Sequence, residues 1–360
     1  MNHKHMNKPQ MNNIIMTSFE SDYNNGAHPD ILRHFLETNN LQSQSYGYDQ
    51  WSESARAKIR EAIQCPDANI FFLTGGTQAN ATIIDGMTAS YEGVVSVATA
   101  HINVHESGAV EAFGHKVLTL PSHDGKMDAA ELRDYLKAYH ADPTWEHMVY
   151  PGMVYITFPT ELGTVYKAQE IESIYAICQE YNIPLFIDGA RLGYGLASAE
   201  CDFDIAWLAH HCDAFYIGGT KVGALCGEAV VFPHGNAPRQ FFTIVKRHGA
   251  LLAKSRVAGV QFDALFTDGL YFRIAQHAID KAMQLRKLFT EAGLTLRDSS
   301  TNQQFVELSN TQMKTLSQSV LFETWEPIDE SHTLCRFVTS WATTDENMDT
   351  LSQALKDLKA

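Results

Sequence analysis

Cysteine is scarce in this chain and never clustered. Six are scattered over 360 residues, at Cys65, Cys178, Cys201, Cys212, Cys226 and Cys335. With no C-x-x-C pair, neither a disulfide framework nor a thiolate zinc site is indicated, and a reducing compartment is expected. No run approaches the roughly 18 uncharged apolar residues of a membrane-spanning helix, and the polar opening MNHKHMNKPQMNN lacks the apolar core of a secretory signal. Positive charge is also short: 27 Lys and Arg stand against 42 Asp and Glu, a formal charge of -15, with no local basic stripe. Such a surface repels phosphate backbones and anionic lipid, which argues against nucleic acid and membrane partners. No repeat and no low-complexity linker is visible. The 45% apolar fraction excludes disorder, and the length suits a large and a small domain in a cytoplasmic protein.

From about residue 50 to 235, apolar runs alternate with amphipathic stretches. NIFFLT (69–74), VVSVAT (94–99), KVLTL (116–120), MVYITFP (153–159), PLFIDG (184–189), DAFYIGG (213–219) and EAVVFP (228–233) read as strands. Between them, Leu132, Tyr135, Leu136 and Tyr139 share one helix face, behind a capping box of Asp128 and Glu131. Ile171, Ile174, Tyr175 and Cys178 repeat that spacing. Alternating strand and helix predicts an α/β fold, with right-handed crossovers and a mostly parallel sheet covered on both faces. After residue 235 the sequence becomes helix-rich, and strand-like FVELS and LCRFVTSW precede a closing helix in DENMDTLSQALKDLK. The expected division is a disordered leader or vector-derived tail at 1–13, with Met11 as an alternative start, a large domain at 14–269 and a small α+β domain at 270–360.

Three segments carry candidate chemistry. Gly75-Gly76-Thr77 follows a strand and opens a helix, where close backbone approach and free N–H groups suit a phosphate; a plain strand-to-helix turn explains it equally well. The third glycine of a dinucleotide fingerprint is missing, as is a Walker loop. Asp188 ends an apolar strand at the edge where parallel sheets bind ligands, with Arg191 a candidate partner for its charge. Lys221, set among small residues in Gly218-Gly219-Thr220-Lys221-Val222-Gly223, is placed for the desolvation that makes an amine nucleophilic. A turn Asp-Gly and a surface lysine are the plain alternatives. In this order, however, a phosphate cradle, a strand-end carboxylate and a loop lysine match the three fixed contacts of pyridoxal phosphate.

These motifs, with Ser21-Asp22, Tyr46-Gly47, GGTQAN (75–80), His101 followed by Glu106-Ser107-Gly108, DGAR (188–191) and GGTKVGA, resemble the threonine aldolases of the β-eliminating lyase group, among the fold type I pyridoxal phosphate enzymes. The likeness runs from SFESDYNNGAHPDIL to LCRFVTSW. It implies a seven-stranded, mostly parallel sheet with a small C-terminal α+β domain. It further implies His101 stacked on the pyridine face, Asp188 at its nitrogen and Lys221 joined covalently to the cofactor. Gly75, Gly76 and Thr77 would meet the phosphate, with Thr220 and Arg191 also beside the cofactor. Arg191 and Arg336 would grip a substrate carboxylate with Ser21, and Tyr46 would line the substrate site. The implied reaction is cleavage of a β-hydroxy-α-amino acid to glycine and an aldehyde.

Where family members carry a histidine near the substrate hydroxyl, this chain has Glu161, which can do the same proton chemistry if its pKa is raised; His105 is the other candidate base. β-Elimination, decarboxylation, transamination and a non-catalytic binding role share the same scaffold. His101 and His105, at i and i+4 beside Glu106, also permit a zinc reading, but the order is H-x-x-x-H-E rather than H-E-x-x-H, so no metal is expected. The resemblance implies a homodimer or homotetramer with sites at the subunit interface. The segment 236–260, with Lys246, Arg247, Lys254 and Arg256, would then supply a phosphate contact to the partner or else form a solvated basic helix.

Overall fold

The structure is a computed structural model that describes residues 16–358; the expected leader at 1–13 lies outside them. A short strand, β1 (Thr17–Ser18), precedes the central sheet of β2 (Asn69–Leu73), β3 (Glu92–Val97), β4 (Val117–Leu120), β5 (Tyr150–Thr157), β6 (Leu185–Asp188), β7 (Ala214–Gly218) and β8 (Glu228–Phe232). Their order is β2-β8-β7-β6-β5-β3-β4, the seven-stranded sheet expected. Only β8 runs against its neighbours, pairing antiparallel with β2 and β7. Every residue of β6, β7 and β8 is buried, because helices cover both faces; this is why these strands read as unbroken apolar runs instead of alternating ones.

Register fixes what meets at the functional edge. Thr157 lies beside Asp188 at the ends of β5 and β6, and Gly218 at the end of β7 faces Glu228 at the start of β8. Helices behave as their patterns require. Leu132, Leu136 and Tyr139 are buried on one face of Ala129–Ala141, and Ile171, Ile174 and Cys178 on one face of Ala168–Tyr181. The capping box expected at Asp128 is half formed. Asp128 accepts N–H bonds from Ala130 and Glu131, but the Glu131 carboxylate turns instead to His123 Nε2, 3.0 Å away, the stronger charge-assisted partner.

A second layer follows: β9 (Gln303–Ser309), β10 (Val320–Leu321), β11 (Glu323–Pro327) and β12 (His332–Val338). Antiparallel β11-β12-β9 form one small sheet, and β10 pairs parallel with β1, so the N-terminal segment joins this C-terminal unit. Two apolar cores result. The 23-residue helix Leu270–Ala292 serves both, with Tyr271, Ile274 and Ala278 in the larger core and Leu285 and Phe289 in the smaller one. It stops at Gly293, whose positive φ of 80° closes the helix without the strain a Cβ would bring. We retain 14–269 and 270–360 as a proposed division, which the β1–β10 pairing crosses. All six cysteines are free, and among the described residues no helix is long and apolar enough to cross a membrane.

Candidate active site

Asp188 ends β6 at the carboxyl edge of the sheet, buried to 1% exposure. Four donors converge on it: Tyr216 Oη at 2.5 Å and the Ala190 N–H at 2.9 Å on Oδ1, and Tyr155 Oη at 2.6 Å and Asn80 Nδ2 at 2.9 Å on Oδ2. Burial pushes the carboxyl up, but the charge of His101 and the Tyr155, Tyr216 and Ala190 hydrogen bonds outweigh it and hold Asp188 below the ordinary aspartate value. Both tyrosine hydroxyls are pushed well above theirs, chiefly by burial, so they remain donors. The backbone is pressed close here. A Cβ on Gly189 would lie 2.0 Å from the carbonyl oxygen of Tyr216, so only glycine fits.

Arg191 is not the partner of Asp188. It stands at the start of the helix Leu192–Leu196 and forks onto Asp22 through Nε (2.7 Å) and Nη2 (3.1 Å). Asn302 Nδ2 also donates to Asp22, at 2.9 Å. Asp188 is thus held as an anion by the charge of His101 and by neutral donors, without Arg191.

Asn80 links two carboxylates, donating to Asp188 and, at 2.7 Å, to buried Glu106, which also holds His101 Nδ1 at 2.7 Å. Burial alone would lower the imidazole's pKa; the Glu106 hydrogen bond and the charges of Glu161 and Asp188 raise it above the ordinary value. At the other side, the helix Gly76–Met87 begins at Gly75 with no side-chain cap, leaving its first N–H groups to an external anion. A Cβ placed on Gly75 would meet nothing within 4 Å, and one on Gly76 would lie 3.2 Å from Tyr216 Oη. The open cradle and the Asp188 cluster therefore touch through Tyr216. Thr77 is exposed on the first turn.

Lys221 is near enough to Asp188, Asp22, Glu161 and Arg191 to feel their charges. Burial, with the Arg191 guanidinium, lowers its ammonium pKa, against the opposing charges of Asp22, Glu161 and Asp188. The Thr220 hydroxyl donates to Glu228 at 2.7 Å and accepts the Gly227 N–H at 3.0 Å. Arg336 lies near enough to Arg191 for their charges to repel. It contacts Gln303 Oε1 at 2.7 Å, Glu323, and the face of Trp325, whose ring centre is 4.6 Å from Cζ. Around these guanidiniums, four buried polar atoms find no partner among the described residues: Ser21 Oγ, Asn302 Oδ1, Gln303 Nε2 and Arg336 Nε. Glu161 is buried and its charge reaches His101, Arg191 and Lys221. His105 is exposed, its ring centre 5.5 Å from that of His101 and 6.2 Å from that of Trp325.

Tyr46 stands apart, beneath Lys246 Nζ at 4.9 Å and lining a cavity with Tyr48, Arg56 and Phe242. Of the basic segment, Arg247 is committed to Asp85 and Arg256 to the carbonyls of Leu41 and Thr38, while Lys254 is exposed. Among the described residues no group of three or more His, Cys, Asp and Glu is arranged to hold a metal. Sequence reading missed Tyr155, Tyr216, Asn80 as a bridge, the role of Asp22, and Glu228. Glu228 had a signal, since a charged residue opens an otherwise apolar strand. The tyrosines had one too, as the only polar side chains inside β7 and the buried part of β5 before Thr157.

The residues fit a phosphorylated pyridine aldehyde: an open, uncapped helix start, a buried anionic carboxylate, a desolvated lysine and an imidazole, all at one sheet edge. Fold and site together define a pyridoxal phosphate-dependent lyase of fold type I. Residues 19–311 match the model of the β-eliminating lyase family, and the chain belongs to that family. It is 31% identical over 345 residues to the low specificity L-threonine aldolase of Pseudomonas aeruginosa, spanning 94% of this chain and 96% of that one. The structure is similar to that of Leishmania major threonine aldolase, with a TM-score of 0.92 and 37% identity over 96% of this chain and 100% of the other. A Thermus thermophilus aspartate aminotransferase variant, at a TM-score of 0.68 and 13% identity, covering 95% of this chain and 91% of that one, shares the fold.

Proposed function

We propose that the chain cleaves β-hydroxy-α-amino acids of the threonine type to glycine and an aldehyde, using pyridoxal phosphate. The observation that carries this reading is the set of unpartnered buried polar atoms around Arg191 and Arg336, close to Lys221 and Asp188. Two neighbouring guanidiniums, with the unsatisfied donors Arg336 Nε, Gln303 Nε2 and Ser21 Oγ around them, call for a bidentate anion, and an amino acid's carboxylate is one. The substrate is thereby a small amino acid. Gly75, Gly76 and Thr77 would hold the cofactor phosphate, His101 would lie against its ring and Lys221 would carry it covalently. When bound, the cofactor supplies the electron sink that makes a bond to the α-carbon labile.

The chain's own residues decide which bond that is. Asp188, kept anionic by its four donors, would hold a proton on the pyridine nitrogen. Arg191 and Arg336, together with Ser21 Oγ, would fix the carboxylate and so the rotation about the α-carbon. A carboxylate oxygen of Glu161, or a ring nitrogen of His105, would take the proton of the β-hydroxyl as the carbon–carbon bond breaks. The chain would pair with itself in the cytoplasm. Support comes from the position of Tyr46, remote from its own site, beside exposed Tyr48 and Phe242, and from the free cysteines.

Incubation of purified holoenzyme with threonine, allo-threonine and phenylserine should release glycine and the matching aldehyde. Absence of glycine from all three overturns the reading. Pyruvate with ammonia, carbon dioxide, or a keto acid dependent on an added acceptor would instead identify elimination, decarboxylation or transamination.

A further inference from the structure

We infer that Glu228 is the positioning residue of Lys221: from the start of β8 its buried carboxylate grips the two residues before the lysine and stabilises the positive charge on the lysine nitrogen. This rests on the proposed role of Lys221 in holding the cofactor.

Glu228 is 3% exposed and faces Gly218 across the antiparallel β7–β8 pair. Its Oε1 accepts the Thr220 hydroxyl at 2.7 Å and its Oε2 the Gly219 N–H at 3.0 Å. Closing the loop does not require it. The Gly219 and Thr220 N–H groups already reach the Gly227 carbonyl at 3.0 and 3.1 Å, and Gly227 N–H returns a bond to Thr220 Oγ1. A neutral side chain would suffice for that geometry, and burying a carboxylate is costly unless its charge is used. The charge is what Glu228 adds.

The surrounding groups leave Lys221 as the matching cation. Arg191 is forked onto Asp22, and Asp22, Glu161 and Asp188 surround the lysine as further anions. On the Glu228 side, Tyr216 Oη donates to Asp188, while Tyr271 Oη donates to the Gly218 carbonyl and accepts the Gly193 N–H. Neither hydroxyl neutralises Glu228. Burial, with the like charge of Asp188, pushes the Glu228 carboxyl up to about 7, against the pull of its Thr220 and Gly219 hydrogen bonds and of the Lys221 charge, while burial lowers the Lys221 ammonium.

The test is a pH titration of the visible absorbance of the holoenzyme, in which the lysine nitrogen loses its proton, alongside thermal unfolding. Glu228→Gln keeps the shape and removes the charge, so the midpoint should fall by about one pH unit, a tenfold loss of proton affinity. Glu228→Asp, which keeps the charge, should restore most of that fall. Thr220→Val removes one donor to the carboxylate, which then takes up a proton more readily; the midpoint should move the same way by less, and Thr220→Ser should leave it in place. A midpoint unmoved in folded Glu228→Gln, or lowered equally in Glu228→Asp, overturns the inference. Should Glu228→Gln fail to fold, an unmoved midpoint in Thr220→Val overturns it. Lys221→Ala separates the two claims: a band that survives there removes Lys221 from the site, whereas a band lost there with an unmoved Glu228→Gln midpoint removes Glu228 alone.

Discussion

The two ends of the site are finished to different degrees. At Asp188, four donors from β5, β7, the helix Gly76–Met87 and the local backbone converge on one carboxylate. At Arg191 and Arg336, buried polar atoms of Ser21, Asn302, Gln303 and Arg336 have no protein partner. Unpaired buried groups cost about 1–3 kcal/mol each, so a protein retains them where a ligand completes the set. On the proposed reading the Asp188 carboxylate itself is satisfied by the fold, although Asn80 Oδ1 and Glu106 Oε2 beside it are unpartnered too, while the guanidinium end would be completed by a substrate carboxylate. The small sheet and the N-terminal segment, which supply Arg336, Gln303, Asn302 and Ser21, close that second end against the large domain.

Substitutions should separate the ends. Lys221→Ala, which removes the link to both, should abolish the visible band and lower turnover by at least about 10³-fold, with the unfolding temperature unchanged. Asp188→Asn should keep the band and lower kcat by roughly 10²–10³-fold, the scale of losing one aimed electrostatic contact. Unimpaired turnover there would show the finished end to be structural only. Glu161→Gln should lower kcat about 10²-fold with little change in KM, and an unchanged rate would move proton transfer to His105 or a water. Arg336→Lys, losing the fork but not the charge, should raise KM about tenfold and leave the cofactor band alone. An altered band in that variant would mean that the two ends are not separate.

The smallest effect concerns pH. Asp22 is pushed up by burial, but Arg191, Lys221 and Asn302 outweigh this and hold it below the ordinary value of about 3.9. A depressed carboxyl contributes stability that is present above that value and lost as the pH falls through its folded value. His101, raised in the fold, does the reverse: its contribution is present below about 6.5 and lost as the pH rises through its folded value. Urea midpoints measured on apoprotein should therefore fall in acid for the wild type and less steeply for Asp22→Asn, while His101→Asn should flatten the alkaline side.

Much of this was legible beforehand, for physical reasons that differ by element. The seven strands of the central sheet announced themselves because burial on both faces demands continuous apolar runs, and β6 ends within one residue of the PLFIDG segment that predicts it. The cradle, Asp188 and Lys221 were legible as a spaced set, since each sits at a strand end. Pairings across the chain were not. Arg191 reaches back to Asp22 and Asn80 reaches on to Asp188, contacts set by tertiary register that no local spacing encodes. The contact of Thr220 with Glu228 was equally hidden, since a strand running antiparallel brings that carboxylate to its hydroxyl. Tyr155 and Tyr216 stand out as lone polar side chains in apolar strands, but only the flanking of β6 by β5 and β7 turns their hydroxyls into a clamp.

One covalent label tests the central claim most directly. Reduction of the holoenzyme with borohydride, then proteolysis and mass mapping, should leave the cofactor mass on the peptide containing Lys221 and on no other. A label on a different lysine, or protein that binds the cofactor without any reducible link, would contradict the account.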